Sequence, residues 1–228
     1  MGTIAVGRTL DEHGEPIPGT GFEVDPEGIV AEKLSERTGP LISNPVSEEW
    51  IAELEPPDET GGEHLSGLFV IAGKGPPEHY HVGYQETFEV ISGELTIVVE
   101  GTSHHASAGD SYTVPAGTVH KPCYEGDEFA AAIGTVRPPA RTLPIIRTLF
   151  GLTHEGKVSS SGQPGFLQGM VMTDGLVDDT VFVSPPPALT RPLATLLAPI
   201  ARQIGYQTTY SKYDTPEFWE RHVEQPSL

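Results

Sequence analysis

Three histidines and one glutamate stand in two blocks framed by glycine and proline. The first reads Gly73-x5-His79-x-His81-x4-Glu86-x6-Gly93, the second Gly109-x5-Pro115-x-Gly117-x2-His120. Imidazole nitrogen and carboxylate oxygen are donors that suit Fe, Mn, Ni, Zn or Cu as divalent ions, and the residue types do not choose among them. Residues two apart on a strand project from one face, so His79 and His81 point together while Tyr80 faces away. Glu86 follows a short polar turn containing Gly83, and a later strand can deliver His120. The spacing predicts one divalent metal per chain, or the remains of such a site. Glu86 either completes the ligand set or lies beside the ion and moves when substrate binds.

The segments around the blocks have strand character. Residues 65–72 (LSGLFVIA) are an apolar run ending at Gly73, and Leu95, Ile97 and Val99 alternate onto one face after a Ser92-Gly93 turn. Residues 101–109 read as a polar loop, 111–114 and 129–136 as further strands, with a turn at residues 115–117. Short strands with turns every ten or so residues indicate an antiparallel sandwich or barrel. Phe88 and Val90 share the parity of Glu86, and Tyr112 and Tyr124 share that of His120, which makes these four candidates for a substrate pocket. Cys123 has the opposite parity. His104 and His105 are adjacent and read as part of the solvated loop.

The two blocks resemble the paired motifs of the cupin superfamily, G-x5-H-x-H-x3/4-E-x6-G and G-x5-P-x-G-x2-H-x3-N. The agreement is complete except that Tyr124 stands where the family often has Asn. The blocks span residues 73–124, and they are not repeated. The resemblance implies a mainly β chain with a single cupin-type antiparallel β-barrel (jelly roll), an N-terminal arm and a partly helical C-terminal extension. It implies a divalent metal held by His79, His81, Glu86 and His120. Four protein ligands on an octahedral ion leave two positions open, enough for one substrate oxygen and O2. Cupins with this ligand set include dioxygenases, and also isomerases, lyases and decarboxylases. The expected function is a non-haem oxygenase for a small enolisable or phenolic substrate, with Glu86 also as catalytic base. The alternatives are a metal-dependent isomerase or lyase and a non-catalytic small-ligand-binding cupin, since one fold carries many functions.

The rest of the chain is expected to divide into an arm with a short helix (residues 1–63), a barrel core (64–137) and an extension (138–228) that packs on the barrel or joins two subunits. In the arm, residues 1–27 read as irregular, with room for an edge strand, and Ser47 caps a helix through residue 54. In the extension, residues 144–150 form a short helix and 166–172 a strand. Leu189, Leu193, Leu196, Leu197, Ile200 and Ile204 recur at helical spacing with a bend at Pro199, and a last helix begins at residues 215–217.

Thirty-two acidic residues against thirteen basic ones give a formal net charge of −19. No basic cluster offsets phosphate repulsion, so neither nucleic acid nor an anionic membrane is an expected partner. An acidic excess with few lysines also fits a high-salt cytoplasm, where repulsion is screened. One cysteine allows no internal disulfide, and no apolar signal core or membrane span is evident, which leads to the expectation of a cytoplasmic protein. Exposed sheet edges tend to be paired or covered, so a homodimer through the barrel sheets, with the terminal segments, is expected.

Overall fold

Alternation of apolar and polar side chains through the middle of the chain resolves into two antiparallel sheets that face one another. The computed structural model describes residues 2–228. In chain order, β1 (Ile4–Val6), β2 (Phe22–Val24) and α1 (Ile29–Ser35) come first. Ten strands follow: β3 (Ile42–Asn44), β4 (Glu49–Glu55), β5 (Leu65–Ile71), β6 (His79–His81), β7 (Gln85–Ser92), β8 (Glu94–Val99), β9 (Thr102–Ser107), β10 (Ser111–Val114), β11 (His120–Cys123) and β12 (Ala130–Arg137). The remainder is α2 (Thr142–His154), α3 (Phe166–Gly175), β13 (Thr180–Phe182), α4 (Pro187–Gln203) and α5 (Pro216–His222). The chain is mainly β. One sheet has six strands in the order β10-β7-β12-β5-β4-β3, the other five in the order β13-β6-β11-β8-β9, and β1 and β2 pair separately.

One core lies between the sheets. Phe69 and Ile71 of β5, Phe88 and Val90 of β7 and Ala132 of β12 pack against Leu95 and Ile97 of β8. The alternate residues of β5, Leu68 and Val70, face the other way onto Trp50 and Ala52 of β4 and onto Val6, Phe22 and Leu34. β5 is therefore buried on both faces, which is why its residues 68–71 (LFVI) are continuously apolar rather than alternating. Each such fully buried side chain contributes about 1.5–3 kcal/mol. The N-terminal residues thus form a cover: β1, β2 and α1 close the outer face of the six-stranded sheet, and the Trp50 indole donates to Gly7 O at 2.7 Å. A third cluster, with Leu152, Met172, Tyr213 and Trp219, joins α2, α3 and α5.

Three local expectations are corrected. Residues 47–54 do not form a helix, because β4 hydrogen-bonds to β3 on one side and β5 on the other. The cap signal at Ser47 is overridden: Glu48 adopts φ +56, and from Glu49 the chain alternates Trp50 and Ala52 to the outer core with Ile51 and Glu53 to the inner face. Residues 166–172 are the start of α3, not a strand; a short apolar run has no periodicity that separates the two. Residues 101–109 contain β9, an edge strand paired with β8, whose polarity follows from its edge position. His104 lies against Tyr112, ring centroids 5.0 Å apart, and His105 Nδ1 is 3.1 Å from Thr96 Oγ1.

Strands from both ends complete the sheets. β3 and β4 extend the six-stranded sheet, and β13 joins the edge of the five-stranded sheet beside β6, pairing Thr180 with His81 and Phe182 with His79. The turn between β7 and β8 needs glycine: Gly93 has φ +71, and a Cβ there would sit 2.6 Å from Phe129 O. That turn sets the register of β7 and so the direction of Glu86.

Candidate metal centre

His79 and His81 lie on β6, and β11 runs antiparallel to it with His120 opposite His79. Glu86 comes from β7 in the facing sheet. One ligand atom from each of the four residues lies within 4.8 Å of all the others. The imidazoles are buried, with His120 only 1% exposed. The turn of the second block is tied to the first, since Gly117 N donates to His81 O at 2.7 Å and Tyr124 N to Gly73 O at 3.0 Å.

Hydrogen bonds on the outer ring nitrogens fix which nitrogen faces inward. His79 Nδ1 is 2.8 Å from Pro77 O and His120 Nδ1 is 2.9 Å from Thr118 O. A carbonyl only accepts, so both Nδ1 atoms carry hydrogen and donate. His81 Nδ1 lies 3.2 Å from Thr180 Oγ1, which is also 2.9 Å from Tyr84 Oη and 3.1 Å from Asp179 Oδ1. The carboxylate must accept from Thr180, so the Thr180 oxygen accepts from Tyr84 and from His81 Nδ1–H. Tyr84 also stacks on the His81 ring at 4.2 Å. Such partners are what hold metal-binding histidines in one tautomer and one orientation.

The consequence inside the cluster is a concentration of lone pairs. Glu86 Oε2 is 3.1 Å from His120 Nε2 and 3.3 Å from His81 Nε2. Lone pairs facing a carboxylate oxygen repel unless a positive charge lies among them, whether a shared proton or a cation. Burial would raise the Glu86 pKa, but hydrogen bonds and charge from His120 and His81 outweigh it and hold the carboxyl well below its ordinary value. Burial, then His81 and His120, push His79 down to about 3, which leaves its ring neutral. For His120 burial works against protonation, and the Glu86 contact outweighs it, raising the pKa. Three imidazoles and one carboxylate with a shortage of positive charge fit a divalent transition ion.

His79, His81 and Glu86 lie on the wall of a cavity of about 1230 Å³, with His120 behind them. Its apolar lining includes Phe69 and Phe88 from the sheet and Leu143, Ile146, Leu149 and Met170 from α2 and α3. Of the pocket candidates, Phe88 and Tyr124 line this cavity, whereas Val90 is buried in the core between the sheets and Tyr112 packs against that core. The sequence reading missed Thr180 and Tyr84, and also Glu49, which lines the cavity at 4% exposure with Ser47 Oγ as its donor. Alternation through β4 was the available signal for Glu49; for Thr180 there was none. Lys74, Lys121 and Arg191 also reach the cavity wall.

Comparison with known proteins agrees with this geometry. The family described as "Cupin domain" matches residues 68–136, the stretch that holds all four residues of the cluster. Residues 68–136 of the chain are a cupin domain. Over 102 residues, 42% of its length, the chain is 33% identical to quercetin 2,3-dioxygenase of Bacillus subtilis (strain 168), and the match covers 29% of that relative's length. Among solved structures, KdgF from Halomonas sp. aligns at 16% identity with a TM-score of 0.36, covering 42% of this chain and 83% of its own. A cupin-superfamily sugar phosphate isomerase from Silicibacter pomeroyi aligns at 22% identity and a TM-score of 0.36, covering 44% and 69%. No helix among the described residues is long and apolar enough to cross a membrane.

Proposed function

We propose that this cupin is a metal-dependent enzyme, an oxygenase that acts on a small enolisable or phenolic compound inside a jelly-roll barrel formed by the two facing sheets. His79, His81, Glu86 and His120 are its ligands for one divalent ion. The observation that carries this reading is the convergence of three inward imidazole nitrogens and Glu86, with His79, His81 and Glu86 on the wall of a large, mainly apolar cavity. A bound Fe, Mn, Ni, Zn or Cu ion would supply Lewis acidity and, where redox-active, reactivity toward O2. Phe69, Phe88 and the α2 side chains suit the faces of an aromatic or other apolar substrate and exclude water from the reacting end. Glu86 accepts the substrate proton when substrate displaces it from its contacts with His81 and His120. Glu49, on the same cavity wall and with a pKa pushed up to about 7, has the proton affinity of a base at neutral pH. The likeness to quercetin 2,3-dioxygenase supports the substrate class.

A second reading is a Lewis-acid isomerase or lyase for an anionic substrate, favoured by Lys74, Lys121 and Arg191 on the cavity wall. One experiment separates them. Purified protein, reloaded with each ion in turn, is screened against flavonols, catechols, diketones and enolisable acids while O2 uptake and substrate absorbance are followed. Metal-dependent O2 uptake lost in His79→Ala supports the oxygenase. Substrate loss without O2 uptake supports the isomerase or lyase, and saturable binding without turnover reduces the protein to a ligand-binding cupin. About one ion per chain is expected, and His81→Ala or His120→Ala should lose most of it; protein that holds no metal after reloading overturns both readings.

A further inference from the structure

α4 turns its large side chains outward and its small ones inward. Ala194, Ala198 and Ala201 are fully buried, and the last two pack on Val171 of α3. Leu189, Leu196, Ile200 and, just past the helix, Ile204 are 59–72% exposed, and Leu193 is 40% exposed. From Leu189 to Ile204 this stripe runs for about 22 Å. Folding of one chain gives no reason to place alanine inside and leucine outside, and single-chain proteins seldom leave so continuous an apolar row uncovered.

Charge narrows what can cover it. The chain has 32 acidic residues, yet α4 has none. Its two cations are turned to their own subunit: Arg191 donates to Tyr80 Oη at 3.3 Å and Arg202 to Asp174 Oδ2 at 2.7 Å. An anionic lipid surface would meet no free cation here and would repel a chain of net charge −19. Two copies of the chain, by contrast, can meet through α4 without setting any carboxylate of that helix against its counterpart.

Spacing favours a second copy. The stripe positions 189, 193, 196, 200 and 204 are nearly symmetric about the middle of the helix. Two α4 helices laid antiparallel across a two-fold axis at residues 196 and 197 place Leu189 beside the second copy's Ile204 and Leu193 beside its Ile200. Self-complementarity of this kind is what a two-fold contact requires.

We propose that α4 is a self-association face, on which a second copy of this chain packs its own α4 antiparallel to form a two-fold dimer. The contact is independent of the metal and of the reaction. Sedimentation equilibrium in 0.1 M and 1 M KCl should show a dimer that tightens with salt, because screening weakens the repulsion between acidic subunits. Leu196→Glu/Ile200→Glu, at exposed positions, should keep the circular dichroism spectrum of the parent and weaken dimerisation at least 100-fold. A mixture of Leu189→Cys and Ile204→Cys proteins should cross-link under mild oxidation more than either alone. A monomer at every concentration and both salts, or a dimer untouched by the double substitution, overturns the proposal. So does binding to phosphatidylcholine or phosphatidylglycerol vesicles that the double substitution abolishes in a protein that stays monomeric. Absence of the mixed cross-link overturns the antiparallel register.

Discussion

Thr180 does for His81 what peptide carbonyls do for His79 and His120, and it does so from a strand sixty residues past the last of the four cluster residues. Among the described residues its hydroxyl is the one hydrogen-bond partner of His81 Nδ1. Thr180→Val keeps the shape and deletes the acceptor. Metal affinity should fall by roughly 10–100-fold, read by competition with a chelating dye, as for other groups that orient a ligand. Unchanged affinity would mean that stacking on Tyr84 suffices to hold the ring. Glu49 supports a second test. Burial is the main cause of its raised pKa, with the Glu86 charge adding to it and the Ser47 hydroxyl opposing it. A carboxyl with a folded-state pKa of about 7 and an ordinary value of 4.5 costs nothing below pH 4.5. As pH rises through that window the fold must release a proton it holds more tightly than the unfolded chain does. Stability falls, by on the order of 3 kcal/mol once both states are ionised. Glu49→Gln removes the slope, so urea unfolding between pH 5 and pH 8 should show wild type losing stability that the variant keeps. Parallel profiles would place Glu49 in water. At this scale the four cluster residues were legible in the sequence because spacing and turn chemistry encode them locally. Thr180 and Glu49 were not, because their roles exist only once distant strands pair.

Strands that pair over long distances explain the misread elements too. β4 is preceded by a helix-start signal at Ser47, yet it lies between two strands that satisfy its backbone on both sides, and ladder formation outweighs a cap worth about 1 kcal/mol. β9 was hidden because an edge strand can be almost wholly polar, and only its Ala106 enters the core. By contrast, the alternation of β8 and the apolar run of β5 are strong local signals, and both were legible. Motif glycines also differ in what they do. Gly93 and Gly109 both have positive φ, but only at Gly93 would a Cβ strike backbone; around Gly109 there is open space. Gly93→Ala should therefore destabilise the protein by clearly more than Gly109→Ala, for which a strain cost of about 1–2 kcal/mol is expected. Denaturant melts of the two variants check this, and equal losses would show that the β7–β8 turn yields to the added methyl.

At the scale of the whole molecule, charge sets the conditions under which the fold is most stable. A net charge of −19 on 228 residues is self-repulsive. Raising KCl from 0.1 to 1 M should stabilise the folded chain by about 1 kcal/mol, a rise in melting temperature of roughly 2–4 °C for a chain of this length. Calorimetry at low protein concentration isolates this effect from self-association, and a melting temperature that falls with KCl would show that attractive ion pairs, such as Arg8 with Glu224, dominate instead.

β13 is synthesised after every strand it pairs with. Translation at ~5–20 residues per second needs about 3–12 s to pass from His120 to Thr180. For that interval a growing chain has all four residues of the cluster but lacks the strand beside β6 and the hydroxyl that orients His81. Under the proposed metal-binding role, tight ion binding therefore requires β13 as well as the motif, and a product that stops after residue 137 would contain the complete motif and hold its ion loosely.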